Sequence, residues 1–500
     1  MMRLDRLLGD RIALSREQAA IEIADVADDS REVKANDLFF AIAGLTVDGH
    51  DFAQRAVDAG AAAVVCQRPL DLEVPCLQVD DPAELLGIVA ARLNDSPGDA
   101  LRTIGITGTN GKTTTAYLCE AICQQAGWRT GLLGTVAYRI AAEQIPAPYT
   151  TPTAIVLQRL LKKMVAAQCD TAIMEISSHA LEQRRVAGLS IDVAAFSHIT
   201  QDHLDLHGDM KRYLAAKLLL FSSVLRSGGT AVVNVDGDGA DVVQSVVADR
   251  GDLRLLRCSR QRSDVEAVLS DWHSTLGGSR GRLTIAGEQV DFSSPLVGDF
   301  NADNLLLAAT CCFAAGLKVA QLPAGIAQMP GVPGRLQRID QSAIFVDYAH
   351  TPDALKRAIA VLRPLCRGRL LVVFGCGGDR DQQKRPLMAR AVADGADLAI
   401  VTSDNPRSES PQAIIAQIVA GLPSDLREVD GTAARGYWVE ADRQRAIEQA
   451  VAALGPDDAL LIAGKGHEDY QIVGDRRLPF DDREQARRAL AIAAAQRSKR

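Results

Sequence analysis

No stretch of this 500-residue sequence is apolar for long enough to cross a bilayer. The longest apolar run, around "NLLLAATCCFAAGL", is too short. The opening residues, "MMRLDRLLGDRIALSREQ", hold no uninterrupted apolar core and no small-residue cleavage site, so no membrane insertion and no secretory leader are expected. A basic excess is missing too. The formal net charge of -8 leaves no broad cationic face for nucleic acid, although a few local Arg and Lys residues can still hold small anions. Ten cysteines occur without a C-x-x-C pair. Cys119 and Cys123 lie one helical turn apart and Cys311-Cys312 sit inside an apolar run, which suits buried thiols in a reducing cytoplasm. Long biased tracts are also absent. With 47% hydrophobic and 24% charged residues, the chain reads as a globular protein of about two to four domains.

What is present is a repeated alternation of apolar runs with helix-length segments. A first block, residues 1–100, mixes short strands ("DLFFAIAG", "AAAVVCQ", "CLQVD") with helical stretches and ends at the turn-rich "NDSPGDALR". A second, residues 101–335, opens with "RTIGITG" and continues through "TAIMEISS", "DVAAFSHI" and "GGTAVVNVD" to the linker "MPGVPGRLQ". A third, residues 336–500, repeats the pattern with "SAIFVDYAH", "RLLVVFGCGGD", "DLAIVTSDNPR" and "ALLIAGKGHED". Strands separated by helices predict α/β domains with parallel sheets. In both later blocks the apolar strands run directly into polar, glycine-rich or charged residues. Ligands of open α/β sheets bind beyond the carboxyl ends of the strands, so each block offers one candidate binding edge.

The segment "GITGTNGKTTT", Gly105 to Thr115, approaches the phosphate-loop pattern G-x-x-x-x-G-K-[ST], with Ile106 where the first glycine would stand. Gly108 and Gly111 permit a backbone that turns successive N–H groups toward a phosphate, and the helix that follows offers its N-terminus. Lys112 could reach terminal phosphates, and Thr113 or Thr114 could hold Mg²⁺. A plain strand–turn–helix connection is the alternative. The strand before and the amphipathic helix after favour the phosphate loop. Farther on, "FSHITQDHLDLHGDMKRYLAAKLLLF" gathers His198, His203 and His207 with Asp202 and Asp205. No paired histidines with a cysteine partner support zinc. Magnesium on His203 and Glu175 suits a nucleotide enzyme better, although that ion prefers oxygen ligands. Lys217, by its position alone, reads as a snorkelling surface lysine.

"TGTNGKTTT", "MEISSHALEQRRV", "QDHLDLHGDMKRYLAAK", "NVDGD", "GDFNADNLLLA", "GVPGRLQ", "VDYAHTPDAL", "FGCGGDRDQQKRPLM", "SDNPR" and "GKGHE", in that order across the chain, resemble the Mur ligases of peptidoglycan synthesis. The likeness is strongest to the members that add the third peptide residue, diaminopimelate. It implies an α/β protein of three domains: an N-terminal UDP-sugar-binding domain, a central ATPase domain with a parallel sheet, and a Rossmann-like C-terminal domain for the amino acid. It also implies a reaction. ATP phosphorylates the γ-carboxylate of D-glutamate in a UDP-muramoyl dipeptide, and the amine of meso-diaminopimelate displaces phosphate to form an amide. Mg²⁺ and Lys112 would neutralise the crowded charge.

By the same resemblance, Gly108, Thr109, Asn110, Gly111, Lys112, Thr113 and Thr114 bind ATP phosphates, and Asn304 and Asp347 face the nucleotide. Thr113, Glu175 and His203 hold Mg²⁺, and Lys217 matches a carbamylated lysine that completes a second metal site. Lys112, Lys217, Glu175 and His203 form the implied catalytic set. Ser30 with Leu45, Thr46 and Val47 matches the uridine region. Thr150, Thr151, Ser177, Gln183 and Arg185 match contacts to the sugar–peptide. Arg380, Asp404, Asn405, Pro406, Arg407, Gly464 and Glu468 match the diaminopimelate pocket. The chain departs from the family at His198, where Asn is frequent, and at Asp28, where an apolar residue is common. Its partners are expected to be these small molecules alone, with the enzyme a cytoplasmic monomer. Competing readings are a lysine-adding Mur ligase, a ligase like folylpolyglutamate synthetase, and a nucleotide-dependent regulatory module. The last would not require Lys217, "GCGGDRD" and "GKGHE" together.

Overall fold

The computed structural model describes residues 1–44, 47–200 and 207–497. The chain divides into two compact units. One comprises Met1–Val268, Leu283–Val290 and Asp303–Gly325; the other comprises Leu269–Arg282, Asp291–Ala302 and Ile326–Arg500.

In the first unit, β1 (Val26–Ala27), β2 (Leu38–Phe40), β3 (Ala63–Cys66) and β4 (Cys76–Gln78) form a small parallel sheet in that order. Helix α1 (Pro82–Leu93) follows, started by Asp81, whose carboxylate accepts the Glu84 N–H at 2.9 Å, and by proline in its first turn. Gly87 of this helix lies so close to the backbone at Ala187 that a Cβ would stand 2.4 Å from the Ala187 carbonyl. Only glycine allows that approach.

The larger sheet of this unit contains β5 (Arg102–Thr107), β6 (Thr130–Leu133), β7 (Tyr138–Ile140), β8 (Glu143–Ile145), β9 (Thr171–Glu175), β10 (Ile191–Phe196), β11 (Leu225–Asn234) and β12 (Arg254–Ser259). Their order is β8-β7-β6-β9-β5-β10-β11-β12. Pairing is parallel from β6 to β12, and β7 and β8 add an antiparallel edge. The parallel strands are almost wholly buried, as strands covered on both faces must be, and their sequences are correspondingly apolar. β5 is flanked by β9 on one side and β10 on the other. The chain therefore changes direction across the sheet at β5, the place where a crevice opens beyond the strand ends. The strands Ala267–Thr275, Gly278–Ile285 and Glu288–Ser294 were not among those expected. Alternating exposure and glycine turns ("LGGS", "AGEQ") are the signal that could have found them.

The second unit has its own sheet. The strands Gln337–Arg338, Ile344–Asp347, Ala459–Ala463, Leu370–Phe374, Leu398–Val401 and Gly436–Val439 lie side by side in that order. All pairs except the first are parallel. Leu370–Phe374 occupies the switch position here, between Ala459–Ala463 and Leu398–Val401. Behind the strand ends, Arg443 and Asp482 form a fully buried ion pair, Nε to Oδ1 and Nη2 to Oδ2, both at 2.7 Å. Arg443 Nη2 also donates to the Ala463 carbonyl at 2.9 Å. It thereby fastens the last residue of one strand to two helices.

Breaking a buried pair by removing one partner leaves an uncompensated charge, which costs about 3–5 kcal/mol. Arg443→Met should lower unfolding free energy in denaturant by about that amount, and Arg443→Met/Asp482→Leu should recover most of the loss. Equal stability of native protein and single variant would show that the pair does not anchor this unit.

Candidate active site

The turn after β5 passes through Gly108 (φ 142°) and Gly111 (φ 89°) before helix α2 (Lys112–Gln125) begins. Both angles lie where side chains are strained, and both glycines are also in tight places. A Cβ at Gly108 would stand 1.9 Å from Ser197 Oγ, and one at Gly111 would stand 2.2 Å from Asn304 Oδ1. Ser197 Oγ donates to the Asn110 carbonyl at 2.8 Å. Thr109 is held by the segment after β10, its N–H donating to the His198 carbonyl at 2.9 Å. Its hydroxyl accepts the Thr200 N–H at 3.0 Å and lies 3.1 Å from the Tyr213 hydroxyl. The turn is thus fixed by the segment after β10 and by Tyr213, and Asn304 sits against it.

Two ammonium groups converge on one atom of this turn. Lys112 Nζ donates to the Gly108 carbonyl at 2.9 Å and to that of Thr109 at 3.0 Å. Lys217 Nζ donates to the Gly108 carbonyl at 3.0 Å and lies 4.4 Å from the centre of the Tyr213 ring. Lys217 is therefore not the exposed snorkelling residue its position suggests: it is 1% exposed. Helix α3 (Met210–Leu219) turns it inward together with Tyr213, one turn earlier, and a π-helical turn, Leu220–Val224, follows. Burial pushes the His198 imidazole below its usual range, and the charges of Lys112 and Lys217 push it the same way. Positive charge and the α2 N-terminus together suit this turn to an anion.

Glu175 ends β9 and is fully buried. Its carboxylate accepts the Thr113 hydroxyl at 2.9 Å, the Thr135 N–H at 2.9 Å and the Thr135 hydroxyl at 3.0 Å. Gly134 makes room, since a Cβ there would stand 2.3 Å from Glu175 Oε1. Thr113 and Glu175 supply hard oxygen donors beside the phosphate turn, and this chemistry fits a small divalent cation. Among the described residues no group of three or more His, Cys, Asp or Glu side chains is arranged to hold a metal. His203 lies outside the described residues, as do Leu45 and Thr46. His207 is turned elsewhere, with Nε2 3.0 Å from Ser178 Oγ and Nδ1 3.2 Å from Glu182.

Beside Glu175, Thr151 acts as a hub. Its hydroxyl donates to the Glu175 carbonyl at 2.8 Å and accepts the Ser177 N–H at 3.1 Å. Its own carbonyl accepts from Arg185 Nη1 at 3.1 Å. Gln183 Oε1 accepts from the same guanidinium at 3.0 and 2.7 Å. Thr150 Oγ1 lies 3.1 Å from Thr135 Oγ1. All five expected sugar–peptide contacts therefore cluster around Glu175. Thr135 was not expected, although "LLGTV" obeys the same rule of an apolar strand running into a polar turn. Ser30 is buried and Val47 exposed, while burial raises the Asp28 carboxyl above its usual range.

The second unit gathers its own cluster at the strand ends. Arg407 adopts φ 51°, and its backbone N–H donates to the Ile472 carbonyl at 3.1 Å. Its Nη1 donates to the Gly378 carbonyl at 2.7 Å, and Pro406 packs against Gly378, where a Cβ would stand 1.9 Å from its carbonyl oxygen. A left-handed arginine is a strained residue held in place by its surroundings, as at many binding sites. Asn405 Nδ2 donates to Glu468 Oε2 at 3.0 Å. Gly464 (φ 117°) lies against Asp404, with a Cβ at 2.5 Å from Oδ2. Arg380 is exposed on the neighbouring loop. Asp347 ends its strand with its carboxylate accepting the Leu336 and Ala349 N–H groups at 2.7 and 2.8 Å, and burial raises its carboxyl above the usual range.

Lys112 is the charge that a phosphate would meet at the turn. Lys112→Ala should cut nucleotide-driven turnover by about 10²-fold or more while the thermal midpoint stays nearly unchanged. A folded variant turning over at near-native rate would remove the phosphate role of this turn.

The chain matches three family descriptions in succession: Mur ligase family, catalytic domain, over residues 22–94; Mur ligase middle domain over 106–312; and Mur ligase, glutamate ligase domain, over 334–466. It is 44% identical over 497 residues to the UDP-N-acetylmuramoyl-L-alanyl-D-glutamate–2,6-diaminopimelate ligase of Gloeobacter violaceus, covering 98% of each chain. Identity to the ligase of the same name from Geobacillus kaustophilus is 42% over 477 residues, 94% of this chain and 95% of the relative. A solved structure of such a ligase superposes with a TM-score of 0.77 at 32% identity, covering 99% of both chains. Among the described residues, no helix is long and apolar enough to cross a membrane. Fold, motifs and relatives agree from end to end, and the chain belongs to the Mur ligase family.

Proposed function

We propose that this chain joins meso-2,6-diaminopimelate to the γ-carboxylate of D-glutamate in UDP-N-acetylmuramoyl-L-alanyl-D-glutamate, using ATP, in peptidoglycan synthesis. One observation carries the reading: the phosphate turn, Glu175 and the Thr151–Arg185 cluster adjoin one another in a chain 44% identical to such a ligase. In this reading residues 1–100 hold the UDP-sugar, 101–335 the ATP and 336–500 the amino acid. The enzyme works as a cytoplasmic monomer on small molecules.

A carboxylate is a poor electrophile until one of its oxygens becomes a good leaving group. Lys112 and the α2 N-terminus bind and neutralise the triphosphate, so that the terminal phosphoryl group can approach another anion. Arg185, oriented by Gln183 and the Thr151 carbonyl, holds the peptide whose carboxylate is phosphorylated. The amine of the second substrate then attacks the acyl phosphate, and phosphate leaves. Thr113, Glu175, His203 and Lys217 as its carbamate would hold Mg²⁺, which supplies Lewis-acid stabilisation of charge on the phosphoryl oxygens. Carbamylation adds CO₂ to Nζ with loss of two protons, one from the ammonium and one as the N–C bond forms, and turns Lys217 from a cation into an anion. Ser30 and the segment Leu45–Val47 take the uridine.

The choice of amino acid rests on Arg407. Diaminopimelate is lysine with a second carboxylate at its far end, and a guanidinium fork pairs with that group through two parallel hydrogen bonds. Arg380 adds positive charge, while Asp404 and Glu468 suit the neighbouring ammonium. Truncating Arg407 leaves the bound carboxylate unpaired, worth about 2–5 kcal/mol when desolvated. Arg407→Ala should therefore lower kcat/KM for diaminopimelate by about 30- to 3000-fold. Native protein should use lysine very poorly, because lysine leaves the arginine without its partner. Equal efficiency with lysine, or an unchanged variant, would overturn the assignment.

A further inference from the structure

Between Gly464 and Glu468, in the same loop, stands a lysine. Lys465 is fully buried, which is costly for an ammonium group without partners. Its Nζ donates to Asn405 Oδ1 at 3.1 Å and to Glu468 Oε2 at 3.3 Å, and lies 5.5 Å from the centre of the Tyr470 ring. Asn405 is thereby oriented. Its Oδ1 also accepts the Ile472 N–H at 3.0 Å, which leaves Nδ2 to donate to Glu468 Oε2 at 3.0 Å. Glu468 Oε2 is thus engaged twice by the protein. Among the described residues, none of the hydrogen bonds to Glu468 falls on Oε1.

We propose that Lys465 is a positioning residue for the amino-acid substrate. It holds Asn405 and Glu468 in one arrangement, with Glu468 Oε1 presented to an ammonium group of the incoming diamino acid. The ammonium of Lys465 balances the carboxylate while the site is empty. It occupies only the inner oxygen, so the substrate need not displace it. Without Lys465, Asn405 Oδ1 keeps a single backbone donor, and the amide can rotate away from Glu468. The inference rests on the reading of this pocket as the diaminopimelate site.

The test is steady-state kinetics on the full chain with each substrate varied in turn, for Lys465→Met, Glu468→Gln and the double variant. Lys465→Met should raise the KM for diaminopimelate about ten- to a hundredfold, the worth of a hydrogen bond to a charged group. The KM values for ATP and the UDP-muramoyl dipeptide should stay within about twofold, since neither substrate meets this cluster. The double variant carries no unbalanced charge, so it stays folded even if Lys465→Met does not. Its KM for diaminopimelate should match that of Glu468→Gln alone, because both changes disable one unit. A general loss, with all three KM values rising and the thermal midpoint falling together, would make Lys465 merely structural and overturn the proposal. Independent, multiplicative effects in the double variant would also overturn it. If Glu468→Gln raises the diaminopimelate KM and Lys465→Met does not, the positioning role fails while the pocket stands. If Glu468→Gln leaves that KM unchanged, the pocket reading fails and the proposal falls with it.

Discussion

The carbonyl of Gly108 accepts hydrogen bonds from two ammonium groups, Lys112 at 2.9 Å and Lys217 at 3.0 Å. That convergence is possible only because the backbone turns sharply after β5 and because helix α3 brings Lys217 inside. The segment after β10 supplies the remaining restraint, through the bonds of Thr109 to the backbone of His198 and Thr200. Lys112 with the N-terminus of α2 gives the turn a positive character that suits an anionic ligand. The neighbouring carboxylate, Glu175, is held in place by Thr113 and Thr135. A polyphosphate is the anion that suits the turn.

The same architectural device recurs in the second unit. Its central strand, Leu370–Phe374, stands between strands from both directions of winding, and the loops beyond the strand ends bring Arg407, Asn405, Asp404 and Glu468 together. Here the cluster mixes signs, which suits a zwitterion more than a polyphosphate. Arg443 and Asp482 hold the floor of this arrangement from behind. Two open sheets thus offer two chemically distinct edges. A ligase that activates one substrate and captures another needs both.

Much of this was legible in the sequence. Long apolar strands running into glycine or charge identify both edges, because burial on two faces demands such strands and ligand binding demands such ends. "GTNGKTTT" marks the phosphate turn, and the motifs from "MEISS" to "GKGHE" mark the family. What periodicity could not reveal was tertiary. Lys217 looks like a surface residue until the fold shows Tyr213 and Gly108 beside it. Thr135 gains its meaning from Glu175, 40 positions later. Arg443 and Asp482 read as ordinary helix residues, since a buried pair 39 positions apart leaves no local pattern.

The central claim is that the substrate carboxylate is phosphorylated before the amide forms. It is tested most directly by labelling both oxygens of the D-glutamate γ-carboxylate with ¹⁸O and weighing the products of complete turnover. One labelled oxygen should leave in each inorganic phosphate, the other should remain in the new amide, and the nucleotide product should be ADP. Unlabelled phosphate, or label delivered to AMP, would contradict the account.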